Sequence, residues 1–455
     1  MRFKRVKKVH FVGIGGIGMS GIAEVLLNLG YQVSGSDLAS SEVTQRLEKL
    51  GAIIYTGHQA ANVNSADAVV YSSAVRPDNP EVLAARNNKI PVIPRSEMLA
   101  ELMRMKFGIA VAGTHGKTTT TSMIGEILTQ AGLDPTIVVG GKVVNLDTNA
   151  KLGQGDYLVV EADEFDRSFL KLTPSIAVIT TLESEHLDCY KDFDEIRKAF
   201  LEFANKVPFY GNVVLCISEK SVSNLINDIH RPIITYGLVP EADLQASEWK
   251  FHENQSSFKV KARGKNLGEV TLSVPGVHNV KNSLAAMAVA LELEIKWDVI
   301  QKALQNFRGV RRRFEIKGVK KGIMVVDDYA HHPSEIQATL ETAKTGWHKR
   351  VIAIFQPHLY SRTRDFYQDF GKSFHNSDVV IFTDIYPARE EPIPGVSAEL
   401  IVKAAKNSGH PQVYYNPDKK ELVEFLRQNA KSGDMVITLG AGDIYKVGLQ
   451  FLETL

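Results

Sequence analysis

The sequence predicts an α/β protein of three domains, each built on a mostly parallel β-sheet. Short apolar runs alternate with helical patterns along nearly the whole chain, as in strand–helix–strand units. The 455 residues suffice for about three domains of ordinary size. Each of three blocks opens with a new apolar strand or signature segment, so we expect domains at residues 1–106, 107–313 and 314–455.

The composition argues against several classes of protein. With a formal net charge of +1, the chain offers no reason to expect a nucleic-acid partner. No run approaches the roughly 18 apolar residues of a membrane span, and the stretch after the basic N-terminus is too short for a signal peptide. The two cysteines indicate reduced thiols rather than a disulfide framework. We expect a cytoplasmic protein without membrane insertion, either monomer or homodimer.

The first block carries a glycine-rich loop between a strand and a helix. The loop, Gly13 to Gly18, has the spacing G-x-G-x-x-G, which lets a diphosphate approach a helix N-terminus. Asp37 ends the next strand, about where an acid would bond a ribose hydroxyl. A UDP-sugar meets these needs as well as NAD does, so the spacing leaves both open. The expected ligand contacts of this Rossmann-like domain are Gly15, Gly16, Ile17, Gly18, Ser36, Asp37, Ser72 and Ser73.

The second block opens with a phosphate-loop signature, which predicts a central domain of P-loop ATPase type. The segment GTHGKTTT begins at Gly113, between an apolar strand and an amphipathic helix. Lys117 would reach the β- and γ-phosphates, and Thr118 would offer its hydroxyl to Mg²⁺. The match is partial, since Val111 stands where the strict pattern has glycine. The expected nucleotide contacts are Gly113, Thr114, His115, Gly116, Lys117, Thr118 and Thr119.

Acidic side chains follow two further strands of the central block. One strand ends in Glu161-Ala162-Asp163-Glu164, and another runs into the segment 183–188, which contains His186. In open parallel sheets the carboxyl ends of the strands form the ligand-binding edge. We therefore expect Thr118 and Glu161 to hold one Mg²⁺, and His186 either to hold a second or to position the substrate.

The combination of these motifs resembles the Mur ligase superfamily, and the resemblance covers essentially the whole chain. His278 and Asn282 lie in a segment similar to the family's adenine-contacting stretch, and Arg312-Arg313-Phe314 resembles its signature at the entry to the last domain. Other segments are most similar to the branch that adds L-alanine to UDP-N-acetylmuramate, namely 327–333, 356–358, 361–365 and 440–444.

The resemblance implies a reaction and a role for each domain. The first domain would bind the UDP part of UDP-N-acetylmuramate, the central one ATP, and the last, also Rossmann-like, L-alanine. Ligation would proceed through an acyl phosphate. His278, Asn282 and Arg313 would contact the nucleotide, with Asp328 near its ribose or metal. The expected catalytic residues are Lys117, His186, His331, His358 and Arg362. Leu359 replaces an arginine of some members, so either Arg362 or Arg364 would hold the alanine carboxylate.

Other interpretations remain open from the sequence. A recycling ligase that attaches a ready-made tripeptide to the same UDP-sugar would share the fold and the nucleotide chemistry. An NAD-dependent dehydrogenase would use the first glycine loop but leave GTHGKTTT unexplained. A nucleotide-binding regulatory protein would lack turnover. Two local features also have structural explanations: the His-His-Pro turn at His331 could cap a helix, and the run from Arg311 to Arg313 could be a solvated surface.

Overall fold

The chain divides into two compact units by its contacts. The computed structural model describes residues 5–72, 74–143, 148–185, 189–388 and 390–455. The first unit comprises Met1–Glu248, Phe258–Val270 and Lys281–Phe307, and the second comprises Trp249–Ser257, Thr271–Val280 and Arg308–Leu455. The described residues form three separate sheets. The domain limits expected at 106/107 and 313/314 stay a prediction.

The N-terminal sheet is fully parallel and has the strand order β3-β2-β1-β4-β5. This order reverses direction beside β1, where α/β sheets of this kind form a ligand crevice at their carboxyl ends. The strands are β1 (Lys8–Val12), β2 (Gln32–Asp37), β3 (Ile53–Thr56), β4 (Ala68–Tyr71) and β5 (Val92–Pro94). The helices are α1 (Ile17–Asn28), α2 (Glu42–Lys49), α3 (Pro80–Asn87) and α4 (Arg95–Met103).

The central sheet has ten strands in the order β15-β14-β13-β12-β11-β10-β6-β9-β7-β8. Its strands are β6 (Phe107–Ala112), β7 (Thr136–Val143), β8 (Thr148–Lys151), β9 (Tyr157–Glu161), β10 (Ile176–Ile179), β11 (Asn212–Cys216), β12 (Ile233–Gly237), β13 (Leu244–His252), β14 (Gln255–Ala262) and β15 (Lys265–Leu272). Its helices are α5 (Lys117–Gln130), α6 (Phe193–Asn205), α7 (Lys220–Ser223), α8 (Val277–Glu292) and α9 (Trp297–Asn306). The parallel strands β9, β6 and β10 are neighbours, which brings their carboxyl ends together as expected.

The C-terminal sheet has the order β16-β17-β21-β18-β19-β20 and is parallel except for the pair β16–β17. Its strands are β16 (Glu315–Lys320), β17 (Ile323–Asp328), β18 (Val351–Phe355), β19 (Val379–Phe382), β20 (Val413–Tyr415) and β21 (Met435–Leu439). Its helices are α10 (Pro333–Trp347), α11 (Tyr360–Lys372), α12 (Glu399–Asn407), α13 (Lys419–Asn429) and α14 (Tyr445–Thr454). Four of these strands, β17, β18, β19 and β21, coincide with the short apolar runs of the sequence, as the α/β prediction requires.

Buried side chains explain why these apolar runs form central strands. Along β18, Val351, Ala353 and Phe355 belong to one core cluster, whereas Ile352 and Ile354 belong to another on the opposite face. A strand covered on both faces reads as a continuous apolar run, as in parallel α/β sheets. Among the described residues, no helix has the length and apolar character needed to cross a bilayer.

Candidate active site

The phosphate loop connects β6 to α5, and each of its two glycines combines a positive φ angle with a close neighbouring atom. Gly113 has φ +134°, and a Cβ atom built there would lie 2.1 Å from Thr180 Oγ1. Gly116 caps α5 in the left-handed region with φ +81°, and a Cβ atom there would lie 2.5 Å from Asn282 Oδ1. Both positions need glycine, since L side chains rarely adopt this backbone. The loop thus presents the N-terminus of α5 beside Asn282, two elements predicted to contact one nucleotide.

The end of β10 anchors this loop. Thr180 Oγ1 donates to the His115 carbonyl at 2.5 Å, and the His115 amide donates to Thr181 Oγ1 at 2.8 Å. The Glu183 amide donates to Thr114 Oγ1 at 2.9 Å. Thr114 and His115, both predicted as nucleotide contacts, therefore fix the shape of the loop. The two threonines were not predicted, although they immediately precede the acidic segment that was.

Lys117 begins α5, and its ammonium group points back into the loop. Its Nζ atom lies 2.6 Å from the Gly113 carbonyl and 3.3 Å from the Thr114 carbonyl. The carboxylate oxygens of Glu164 lie at 2.8 and 2.9 Å. Burial by itself would lower the pKa of Lys117, but the attraction of Glu164 and other nearby carboxylates outweighs burial and raises it. Lys117 is therefore a permanent cation, as phosphate neutralisation requires.

Glu161 and Thr118, the predicted ligands of one magnesium ion, are in contact. Glu161 ends β9 and accepts hydrogen bonds from the Thr118 side chain and the Gly140 backbone. Burial raises the pKa of its carboxyl group. Its Oε1 atom is buried and has no hydrogen-bond partner in the described part of the chain. A buried oxygen of this kind beside a hydroxyl suits a hard cation such as Mg²⁺. His186, the predicted ligand of a second ion, lies outside the described residues.

The N-terminal glycine loop lies between β1 and α1 and borders a cleft of about 850 Å³. The Gly15 amide donates to Asp37 Oδ2 at 2.8 Å, and the Leu38 amide donates to Asp37 Oδ1 at 2.8 Å. The acid predicted to meet a ribose hydroxyl thus also holds the loop. A Cβ atom at Gly18 would lie 2.6 Å from Arg95 Nη1, so this loop has a cation beside it although it contains none. The cleft lining includes Gly13, Gly15, Gly16, Asp37, His58, Ser72 and Asn79.

Two predicted contacts of this loop need comment. Ser36 is fully buried and does not line the cleft, because its hydroxyl donates to Glu81 Oε2 at 2.5 Å beneath it. Neighbouring residues of a strand point to opposite faces, so only Asp37 reaches the cleft. Ile17 begins α1, and Ser73 lies outside the described residues.

A buried carboxylate under the cleft was not predicted. Glu81 is fully buried at the start of α3 and contacts His58 Nδ1 at 3.2 Å and Asn62 Nδ2 at 2.6 Å. Its Oε1 atom also lies 3.7 Å from His10 Nε2. Burial alone would raise the pKa of Glu81, but hydrogen bonds from His10, Ser36 and Asn62 outweigh burial and lower the pKa to about 2. Glu81 therefore holds the ring of His58, a residue that lines the cleft, from beneath.

In the second unit, His331, His358 and Arg362 form one group. The rings of His331 and His358 have centroids 6.0 Å apart, and Arg362 Nη1 lies 3.3 Å from His358 Nδ1. A guanidinium only donates, so His358 carries its proton on Nε2. The ring of Tyr386, which was not predicted, stacks on His358 with centroids 5.9 Å apart. Arg364 is 54% exposed and bonds Asp365 instead.

The predicted nucleotide contacts of the second unit are held by local bonds. Arg313 Nη1 lies 3.2 Å from Glu335 Oε1. Asp328 accepts from the Phe314 and Ala330 amides, each at 2.8 Å, and burial raises its pKa to about 6. Asp328 therefore fastens the chain where the predicted last domain begins. His278 packs beside Gly276, where a Cβ atom would lie 2.7 Å from its ring.

Comparisons with known proteins agree with this arrangement. Residues 8–107 match the description "Mur ligase family, catalytic domain", residues 111–290 match "Mur ligase middle domain", and residues 312–442 match "Mur ligase, glutamate ligase domain". A UDP-N-acetylmuramate–L-alanine ligase of Geotalea daltonii is 54% identical over 453 residues, which cover 100% of this chain and 99% of the relative.

Solved structures give the same result. The structure of a UDP-N-acetylmuramate–alanine ligase from Thermotoga maritima has a TM-score of 0.83 and 32% identity, covering 98% of each chain. A murein peptide ligase from Psychrobacter arcticus has a TM-score of 0.72 and 26% identity, also covering 98% of each. Together with the phosphate loop, these matches establish that the chain belongs to the Mur ligase family.

Proposed function

We propose that this protein is an ATP-dependent ligase that joins L-alanine to UDP-N-acetylmuramate in peptidoglycan precursor synthesis. The relative of Geotalea daltonii with that name matches over the full length of this chain. The observation that carries the chemistry is the convergence of Lys117, Thr118 and Glu161 at one sheet edge. ATP is the phosphoryl donor, so we place the reaction in the cytoplasm.

The reaction needs two displacements. A lactyl carboxylate oxygen attacks the γ-phosphorus of ATP, the bond to the β-phosphate bridging oxygen breaks, and ADP leaves. The amine of L-alanine then attacks the carbonyl carbon of the acyl phosphate, loses a proton, and displaces inorganic phosphate. Both reactants of the first step are anions, so their approach requires positive charge. Lys117 supplies it as a buried, permanently protonated ammonium group.

Thr118 and Glu161 would hold Mg²⁺, which when bound neutralises phosphate charge and orients the terminal phosphoryl group. The amides at the N-terminus of α5 donate to phosphate oxygens, and Asn282 faces the same loop at Gly116. We assign nucleotide contact also to His278, Arg313 and Asp328. His186 stays the proposed ligand of a second ion.

The N-terminal cleft would take the UDP part of the sugar nucleotide. Its loop offers backbone amides and a helix N-terminus, which suit a diphosphate. His58 and Ser72 line the cleft beside the loop, where they can bond the nucleoside. When the ligand binds, Asp37 would either release the Gly15 amide and bond the ligand, or keep this bond and hold the loop while a neighbouring group contacts the ligand.

In the second unit, Arg362 is the side chain we assign to the alanine carboxylate, with His331 and His358 beside it. Guanidinium groups bind carboxylates through two parallel hydrogen bonds, so one arginine can fix the orientation of the amino acid. His358 holds Arg362 through Nδ1 and stacks on Tyr386, which restricts the rotamers of both. We propose three functional domains, 1–106, 107–313 and 314–455, in a monomer or homodimer.

Phosphate release tests the proposal. The assay contains Mg-ATP, UDP-N-acetylmuramate and L-alanine, each omitted in turn, and is repeated with the tripeptide L-alanyl-γ-D-glutamyl-meso-diaminopimelate in place of alanine. We expect release that needs all three substrates and is much faster with alanine. Faster release with the tripeptide would keep the mechanism and assign the chain to the recycling reaction. No release under any condition would contradict the proposed activity.

A further inference from the structure

The ammonium group of Lys117 has more acceptors than it can serve. Four oxygens surround it: the carbonyls of Gly113 and Thr114 and both carboxylate oxygens of Glu164, at 2.6 to 3.3 Å. An ammonium group has three N–H donors. A phosphate oxygen can therefore bond Lys117 only if one of these oxygens gives up its place.

Of these acceptors, only the Glu164 carboxylate carries a negative charge. It is 3% exposed, and the pair it makes with Lys117 is largely withdrawn from water. The Gly113 carbonyl belongs to the loop itself, whose backbone is fixed by the bonds to Thr180 and Thr181. The Glu164 backbone is fixed as well, because Tyr190 donates to its carbonyl at 2.7 Å. Only the Glu164 side chain can swing aside without moving the backbone.

We propose that Glu164 competes with the terminal phosphates of the nucleotide for Lys117 and so sets the affinity for ATP. The inference rests on the proposed function, because it takes Lys117 to be the residue that meets those phosphates. Glu164 is then a positioning residue that acts through Lys117. It keeps Lys117 charged and in a defined position. It also lowers the affinity for ATP, because a phosphate that binds Lys117 must displace a buried ion pair.

The direction of the change in nucleotide affinity distinguishes a Glu164 that competes with phosphate from one that supports Lys117. Glu164→Gln keeps the size of the side chain and one oxygen acceptor but removes the charge. Lys117 then attracts phosphate more strongly, and nucleotides with β- and γ-phosphates bind more tightly. If Glu164 instead supported Lys117 while phosphate is bound, the same substitution would weaken binding.

Calorimetric titration of the full-length chain with Mg²⁺ and a non-hydrolysable ATP analogue tests this. We expect the Kd of Glu164→Gln to be about tenfold lower than that of the wild type, the equivalent of one charge-assisted hydrogen bond. AMP, which has no β- or γ-phosphate, should bind both proteins equally within about twofold. The matched control is Asp163→Asn, which removes a nearby charge that acts on Lys117 without bonding it. It should change the Kd less than Glu164→Gln does.

Kinetics and a second variant complete the test. In Glu164→Gln the KM for ATP should fall while the KM values for the sugar nucleotide and alanine stay unchanged, a split that general loosening of the fold would not give. If Glu164→Gln fails to fold, Glu164→Asp shortens the side chain, which lengthens its contact with Lys117 and should lower the Kd by a smaller factor. An unchanged or higher Kd would overturn the inference alone. If Lys117→Met did not weaken binding of the ATP analogue, the phosphate-loop assignment itself would fail.

Discussion

The two glycine loops of the first unit occupy similar positions between a strand and a helix, but they would offer an anion different groups. Both follow the first strand of a parallel sheet and lead into a helix. The N-terminal loop relies on backbone amides, and its nearest cation, Arg95, belongs to another element. The central loop includes its own cation, Lys117. In the proposed reaction the N-terminal loop would only bind a diphosphate, whereas the central loop would also stabilise charge that moves during the reaction.

A common feature makes this comparison informative. Each loop bonds a carboxylate of the same unit: the Gly15 amide bonds Asp37, and Lys117 bonds Glu164. Asp37 contacts a neutral amide at the cleft surface, whereas Glu164 contacts a buried charge. Ion pairs withdrawn from water are costly to break. The central loop should therefore be the more sensitive of the two to substitution.

Removal of the cation should give the largest effect. Lys117→Ala should lower kcat by about a thousandfold, because a preorganised charge at the transferred phosphoryl group contributes most where water is excluded. The affinity for UDP-N-acetylmuramate, measured by titration, should stay within about twofold, since the N-terminal loop does not use this lysine. Near-native turnover of this variant would remove the distinction between the loops.

A matched glycine pair compares the rigidity of the two loops. Gly113→Ala places a Cβ atom 2.9 Å from the Thr181 amide nitrogen at φ +134°, and it should cost more than about 3 kcal/mol of unfolding free energy. Gly16→Ala meets its nearest atom at 3.4 Å with ordinary φ, and it should cost only about 0.5 to 1 kcal/mol, roughly the difference between these residues at an N-cap. Urea unfolding measures both. Equal losses would mean that the loops are equally constrained.

The buried carboxylate under the N-terminal cleft should make stability depend on pH. Its pKa is lowered to about 2 in the folded chain, so the ionised group stabilises the fold above the unfolded pKa near 4.5 and loses that contribution as pH falls towards 2. Glu81→Gln should cost about 3 kcal/mol at pH 7. The difference in unfolding free energy between the variant and the wild type, measured by denaturant unfolding, should decrease steadily below pH 4.5. A gap independent of pH would show that shape rather than charge matters.

The smallest effect concerns the second unit, where we propose an arginine rather than backbone amides as the anion ligand. Arg362→Ala should raise the KM for L-alanine by about tenfold to a hundredfold, the loss of a bidentate carboxylate contact. Arg364→Ala is the matched control, because this side chain is exposed and paired with Asp365. It should leave the KM within about twofold. A larger effect at Arg364 than at Arg362 would reverse the assignment.

Local patterns predicted much of this molecule, because the residues that act together are adjacent in the sequence. Both glycine loops, the strand that ends at Glu161 and four of the six strands of the C-terminal sheet were found in this way. The structure also separates Arg362 from Arg364, which the sequence could not do, since their directions depend on the helix α11 that carries both.

The rest depended on contacts between distant residues. Lys117 and Glu164 are 47 positions apart, and nothing in either segment indicates that the second would bond the first. Glu81 reads as an ordinary acid in the first turn of a helix, yet the fold buries it beside two histidines. Ser36 was predicted as a ligand contact together with Asp37, but strand alternation turns its side chain inward.

Isotope transfer tests the central claim most directly. UDP-N-acetylmuramate labelled with ¹⁸O in both lactyl carboxylate oxygens is turned over with ATP and L-alanine, and the released phosphate is analysed by mass spectrometry. Ligation through an acyl phosphate predicts one ¹⁸O atom in each phosphate, because the oxygen that attacked phosphorus leaves with it. Unlabelled phosphate would contradict the account, since water rather than the carboxylate would then have received the phosphoryl group.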